Sequence, residues 1–198
     1  MKHVVGLWSG HDCSFVDLVD GKPELHVEYE RHIRQKEPPG DSIKLWHELS
    51  HNVDNAECFV TCYPLAKLYQ YPESTVNRPL YTVGHHEAHA ANAFFSSNFA
   101  EALIVTIDGG GIENDNGLET AHAVYTGTNN KIERKLTTKA NEVNIGGLWT
   151  RVTRYVFKLQ NGWPLGHQAG TIMSMAAFGD PSKYRHDFAK MLREDLIP

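Results

Sequence analysis

Residues 82–99 read Thr-Val-Gly-His-His-Glu-Ala-His-Ala-Ala-Asn-Ala-Phe-Phe-Ser-Ser-Asn-Phe, three imidazoles at His85, His86 and His89 followed by a small, apolar tail. Ala88, Ala90, Ala91 and Ala93 favour the helix, so the spacing predicts one that opens near His85. Residues four apart on a helix share a face, with Cβ atoms roughly 5–6 Å apart. His85 and His89 can therefore grip one cation, as the histidine pairs of other His-x-x-x-His helices do. A histidine-rich helix start that only caps and packs explains the segment alone equally well. His86 and Glu87 read as supporting or capping groups.

The elements that would position such a site read as follows. His3 to Trp8 is an apolar strand ending in Ser9-Gly10-His11-Asp12. A second strand covers Cys13 to Val19, and Asp20-Gly21-Lys22-Pro23 has hairpin chemistry. The third strand, Glu24 to Glu30, alternates Leu25, Val27 and Tyr29 with polar residues. Asp41 reads as the N-cap of an amphipathic helix carrying Ile43, Leu45, Trp46 and Leu49. A strand at Glu57–Cys62 and a proline-rich connection through Pro79 lead to the histidine helix.

The second half repeats this plan. Ala102 to Ile107 is an apolar strand ending in a turn at Asp108-Gly109-Gly110-Gly111, and strands at Ala121–Tyr125 and Lys131–Thr138 follow. Helices are expected at about Gly147–Leu159, Ala169–Phe178 and Ser182–Asp195. Twice, a strand runs into a Gly-plus-Asp turn that leads to a β-meander. That layout fits an α/β fold with a mixed sheet, the actin-like/sugar-kinase ATPase (ribonuclease H-like) lobe. In that architecture the backbone N–H groups of each such turn face a phosphate. Glycine clusters also mark plain turns, so the pairing of two carries the argument.

Composition narrows the class without deciding it. Hydrophobic residues make up 41% and charged residues 22% of the 198, as in an ordinary globular chain. The net charge of −5 comes from an acid excess in residues 1–99, which speaks against binding a polyanion by bulk charge. Lys131, Arg134, Lys135, Lys139, Arg151, Arg154 and Lys158 form a modest basic set that suits a phosphate or a solvated face. The 12 histidines raise the weight on metal binding or proton transfer. Cys13, Cys58 and Cys62 read as buried thiols in a reducing compartment. A strand would separate Cys58 from Cys62 by roughly 13 Å, too far for a disulfide or a shared metal. No leader and no long apolar run are visible, so a cytoplasmic location away from membranes is expected.

Taken together, these segments resemble the O-carbamoyltransferases that modify nodulation factors and antibiotics. The catalytic domain of that family is similar to the catalytic subunit of tRNA threonylcarbamoyltransferase. The matching residues are Gly6-Leu-Trp-Ser-Gly-His-Asp-Cys-Ser-Phe, Val19-Asp-Gly-Lys, and Glu28-Tyr-Glu-Arg31 with Arg34 and Lys36. They continue through Gly84-His-His-Glu-Ala-His-Ala-Ala-Asn-Ala-Phe, Val105-Thr-Ile-Asp-Gly-Gly-Gly, Ile145-Gly-Gly-Leu-Trp-Thr and Ala169-Gly-Thr-Ile-Met-Ser-Met-Ala-Ala-Phe-Gly, in family order along nearly the whole chain. The resemblance implies carbamoyl transfer from carbamoyl-adenylate, made from carbamoyl phosphate and ATP, to a hydroxyl. It also implies a divalent metal near the transferred group, Fe2+ ahead of Zn2+ or Mn2+.

Residues 1–198 would then be the N-terminal part of a carbamoyltransferase catalytic domain, with sub-lobes at 1–100 and 101–198. The family's second lobe, its synthase-like domain and the aspartate that supplies its third metal ligand have no counterpart here. Where the family motif carries Gly-Lys with later Gly and Pro, this sequence has Gly170-Thr171, Ser174 and Ala177.

On this reading His85 and His89 hold the metal. His11 is the general base or orients the acceptor beside Asp12, its plain alternative being a turn histidine. Asp108, with Gly109 and Gly110, faces the metal or a ribose, against the alternative of an Asx turn. Gly170 and Thr171 are placed at the nucleotide, and Glu30, Arg31 and Arg34 at the substrate, although a strand-end ion pair explains those three as well. The acceptor is a sugar, antibiotic or nucleoside hydroxyl; the missing half is either lost by truncation or supplied by a second chain, with a homo-oligomer as the other partner expected. Two other classes compete: a non-catalytic metal- or nucleotide-binding module of this fold, and an actin-like ATPase acting on another substrate.

Overall fold

The computed structural model describes residues 2–9, 12–35, 38, 40–51, 53–62, 78–113, 119–159 and 168–193. The chain divides into two compact units, residues 1–88 with 112–117, and residues 89–111 with 118–198.

The first unit is built on a five-stranded sheet of order β3-β2-β1-β4-β5. Strands β1 (His3–Trp8), β2 (Ser14–Val19) and β3 (Lys22–Glu28) form the expected antiparallel meander. Strands β4 (Cys58–Cys62) and β5 (Leu80–Val83) extend it in parallel beyond β1. Alternation decides which face is buried. Val5, Leu7, Phe15 and Phe59 point to one side and pack under Ile43, Leu45 and Trp46 of helix α2 (Ser42–Leu49). Asp41 caps α2 as predicted, accepting from the N–H groups of Ile43 (3.0 Å) and Lys44 (3.2 Å).

A polar cluster lies within this core. The fully buried Asp17 carboxylate accepts from Trp46 Nε1 (2.8 Å) and Ser50 Oγ (2.7 Å) and meets His3 Nε2 at 3.2 Å. Distributing the charge over several partners offsets the desolvation that burial imposes.

Two local expectations fail in this unit. β3 stops at Glu28, and Tyr29–Ile33 form a short helix, α1, so Glu30 and Arg31 are helical and not strand-end residues. Arg34 closes that helix in the left-handed conformation (φ 56°). Of the three cysteines only Cys13 is fully buried; Cys58 and Cys62 are half-buried, and all three are free thiols. His11, Lys36 and the proline-rich connection lie outside the described residues.

The histidine helix forms as predicted: α3 spans His85–Phe95, and the boundary between the units falls inside it. In the second unit the sheet runs β6-β7-β8, with β6 at Glu101–Ile112, β7 at Glu119–Thr128 and β8 at Lys131–Lys139. Ala90 and Phe94 of α3 pack onto Ile104, Ala123 and Tyr125 of this sheet, which is why that side of the helix is small and apolar. The expected turn at Asp108–Gly111 is absent. β6 continues through those residues to Ile112, because nothing in the glycines forbids an extended chain.

The expected helix at Gly147–Leu159 starts two residues earlier as α4 (Ile145–Arg151) and changes to a π-helical turn at Val152–Val156. There the Thr153 hydroxyl donates back to the Trp149 carbonyl (2.6 Å), the type of side-chain intrusion that loosens an α-helical ladder. Helices α5 (Ala169–Ala176) and α6 (Arg185–Arg193) follow. None of the described helices is long and apolar enough to cross a membrane.

Candidate metal centre

Helix α3 begins because Gly84 supplies its first acceptor: the Gly84 carbonyl takes the Ala88 N–H at 2.9 Å. His85 is therefore the first helical residue, and His89 follows one turn later on the same face. In the second unit Nε2 of His89 lies 3.4 Å from Oδ2 of Asp108 on β6. Each of His85, His89 and Asp108 offers a ligand atom, and the three lie within 4.8 Å of one another.

A metal bonded at about 2.1 Å to nitrogen and carboxylate ligands holds neighbouring ligand atoms roughly 3–3.5 Å apart. The three donors need only draw together slightly to fit one ion. Two imidazoles and a carboxylate are a donor set that suits a divalent transition metal, and three protein donors leave further positions for water or another ligand. From the sequence Asp108 faces the metal or a ribose, and the family's second-lobe aspartate has no counterpart; here the Asp108 carboxylate lies beside the histidine pair.

The groups around the donors are fixed by hydrogen bonds. Asp108 Oδ1 accepts the Gly109 N–H at 2.6 Å, which orients the carboxylate on its own strand. The Gly109 carbonyl accepts from Asn144 Nδ2 (2.6 Å), while Asn144 Oδ1 caps α4 through the Gly147 N–H (2.5 Å). The Ile145-Gly-Gly motif therefore abuts Asp108-Gly109. His86 is fully buried, and its backbone N–H donates to Glu113 Oε1 at 2.5 Å. Burial, and then the nearby Glu113, pushes the Cys62 thiol up to about 11, so it is protonated at neutral pH and ill-suited to bind metal.

A second polar surface occupies the first unit. Asp12, Glu30 and Arg31 line one open cavity of about 340 Å³ together with Trp8, His26 and Glu28. Arg34 lines a neighbouring opening with Glu30 and Arg31. Arg31 Nε donates to Glu28 (2.9 Å) and lies 3.6 Å from Glu30, an exposed arrangement with little energetic weight. Trp8 also meets helix α3: its ring faces the His85 ring in an edge arrangement, centroids 6.5 Å apart.

Sequence reasoning missed Trp8, His26 and Glu28. The signal was present in the strand register, where Trp8 pairs with Ser14 and Ser14 with Glu28, making one cross-strand row.

The remaining predicted residues are more scattered. Gly110 continues β6 beyond Gly109. Gly170 and Thr171 occupy the first turn of α5, where the Thr171 hydroxyl donates to Gln168 Oε1 (2.8 Å). In the basic set, Arg134 stacks over Tyr125 and Lys135 pairs with Glu133, as residues of a solvated face do.

No protein-family model matches the chain. The chain is 32% identical over 108 residues to nodulation protein NolO of Bradyrhizobium diazoefficiens, covering 54% of this chain and 17% of that protein. It is 35% identical over 106 residues to nodulation protein NolNO of Sinorhizobium fredii, covering 54% of this chain and 14% of the relative. The matched region thus spans less than a fifth of either relative's length. These matches bear out the resemblance drawn from the motifs.

Among solved structures, full-length HypF in a phosphate- and nucleotide-bound form aligns with a TM-score of 0.50 at 14% identity. That alignment covers 67% of this chain and 18% of the other. HypF of T. kodakarensis aligns with the same TM-score and coverage at 17% identity. At such identities the likeness concerns the fold, and it supports the ribonuclease H-like, actin-like α/β class.

Proposed function

We propose that this chain is the leading part of an O-carbamoyltransferase catalytic domain, completed by further polypeptide or by a partner chain. The observation that carries this reading is the convergence of His85, His89 and Asp108, three donors for one ion, in a fold whose sequence relatives are nodulation proteins. The donor is carbamoyl-adenylate, made from carbamoyl phosphate and ATP, and the acceptor is a hydroxyl of a sugar, antibiotic or nucleoside.

In the transfer the acceptor oxygen bonds to the carbamoyl carbon. The bond from that carbon to the adenylate phosphate oxygen breaks, and AMP leaves with the electron pair. The hydroxyl proton passes to a base, a role we assign to His11 beside Asp12. A divalent ion held by His85, His89 and Asp108, Fe2+ ahead of Zn2+ or Mn2+, would supply Lewis-acid polarisation at the carbonyl or phosphate. The cavity lined by Asp12, Glu30 and Arg31 suits the acceptor, since Trp8 offers an apolar platform and the carboxylates accept from hydroxyl groups. Trp8, which lines the cavity, meets the ring of His85, and both residues belong to the first unit. We place the nucleotide at Gly109, Gly110, Gly170 and Thr171.

The short coverage of the relatives favours a second reading, a metal- or nucleotide-binding module without turnover of its own. One experiment separates the two. The chain, alone and together with the lobe that follows the matched region in its relatives, is incubated with carbamoyl phosphate, ATP, Fe2+ and a panel of hydroxyl acceptors. Mass spectrometry then reads the products. A carbamate ester that disappears in His85→Ala supports the transferase. An ester formed equally by His85→Ala, or none under any pairing, contradicts it.

A further inference from the structure

Helix α3 starts without a side-chain cap of its own. Gly84 occupies the N-cap position, where Ser, Thr, Asp or Asn normally satisfies the N–H of the second or third helical residue. The second helical residue, His86, instead donates to Glu113 Oε1 at 2.5 Å. Both groups are secluded, with His86 at 0% and Glu113 at 7% exposure. A carboxylate here meets the positive end of the helix dipole and forms a charge-assisted bond away from solvent screening.

The fit depends on the absence of a side chain at residue 84. A β-carbon on Gly84 would collide with the Glu113 carboxylate, so glycine is what makes room for the cap.

Glu113 also follows directly on β6, the strand that carries Asp108. Helix α3 and this strand are therefore tied at two points: His89 to Asp108 in the second unit, and His86 to Glu113 in the first. The second tie fixes where the helix begins, and hence the rotation and height of His85 and His89 on it.

We infer that Glu113, seated in the space left by Gly84, is a positioning residue that holds the His85–His89 face in register for metal binding. It contacts neither metal nor substrate in this role and acts through the helix N-terminus alone. The inference rests on the metal reading above and assigns that site its support. Outer groups that orient metal ligands commonly contribute 10–100-fold in affinity.

The test uses the full 198-residue chain, with Co2+ as a spectroscopic probe and amide hydrogen exchange as an independent readout. Glu113→Ala and Gly84→Ala should each weaken Co2+ binding by about 10–100-fold and change the ligand-field spectrum. Both should also speed exchange at the His86 amide while leaving the amides of β1 and β2 protected. Glu113→Gln, which keeps an acceptor oxygen, should recover most of the affinity and the parent spectrum. Parent-like Co2+ affinity and spectrum in both Glu113→Ala and Gly84→Ala would overturn the inference.

A parent chain that binds no Co2+ removes the metal reading instead, and the exchange data then decide the rest. Faster His86 exchange in Glu113→Ala sustains Glu113 as the group that seats the histidine face. Unchanged exchange rejects it.

Discussion

Gly146 and Asp108 meet backbone to backbone: a β-carbon on Gly146 would overlap the carbonyl carbon of Asp108 and the amide of Gly109. The first turn of α4 is thereby pressed onto the strand segment that presents the carboxylate to His89. Asn144 bonds to the Gly109 carbonyl at the same place. Gly146→Ala must push the helix away, and overpacking of this kind costs about 1–3 kcal/mol. We expect a lower denaturant midpoint, and metal affinity that falls with it because Asp108 shifts. Gly170→Ala, with open space around its site, should leave both unchanged. Equal behaviour of the two variants in urea titrations would contradict this account.

The buried Asp17 sets the stability of the first unit. Asp17→Ala leaves Trp46 Nε1 and His3 facing a void, and breaking a buried polar pair in this way costs about 3 kcal/mol. Asp17→Asn keeps one acceptor and should cost less. Chemical denaturation monitored by Trp fluorescence measures both, and metal binding per folded molecule should be the same in either. Loss of metal with no loss of stability would place Asp17 in the site and out of the core.

The thiols provide a pH test. Burial, then Asp41, pushes Cys13 up to about 11, and burial, then Glu113, does the same for Cys62. Below pH 9 both are protonated in the folded and the unfolded chain, so they add no slope. Between about pH 9 and 11 the unfolded thiols lose protons that the folded ones keep, so stability should fall as pH rises through that window. Cys58 is raised too, by burial and then Glu57, and it is less enclosed than Cys62. At pH 8, iodoacetamide should therefore modify Cys58 first, and peptide mapping reads the order. Faster labelling of Cys62 than of Cys58 would show that the burial argument fails.

Much of this was legible in the sequence, and the failures have physical causes. Short apolar runs located β1 and β2, alternation located β3 to within two residues at each end, and the Asp41 cap and the alanine-rich run located α2 and α3. Local signals suffice where one face of an element is buried. Asp108-Gly109-Gly110-Gly111 misled because glycine permits a turn without requiring one, and pairing within the sheet kept the segment extended. The partnership of Asp108 with His89 could not be read locally, since it arises from the packing of α3 on β6. Glu113 was missed for the same reason, although a glycine at a helix start with no side-chain cap already asks for an acceptor from elsewhere.

His11→Ala should reduce the chemical step of the completed enzyme by roughly 10²–10⁴-fold, the range of a general base. The loss should appear in kcat, with KM and metal content little changed, because the proposed metal ligands are other residues. A His11→Ala protein that melts several degrees lower yet keeps its rate per folded molecule would make His11 a turn residue. The base would then lie outside this chain.

The most direct test of the central claim is a calorimetric titration of the purified chain with Fe2+ under anaerobic conditions. One ion per chain should bind, and His85→Ala, His89→Ala and Asp108→Asn should each weaken binding by more than about tenfold, the low end for loss of a group that only orients a ligand. The His85→Ala/His89→Ala double variant should show no saturable binding while keeping the parent's circular dichroism. A double variant that binds Fe2+ as the parent does would make α3 a packing helix and remove the site on which the proposed transferase rests.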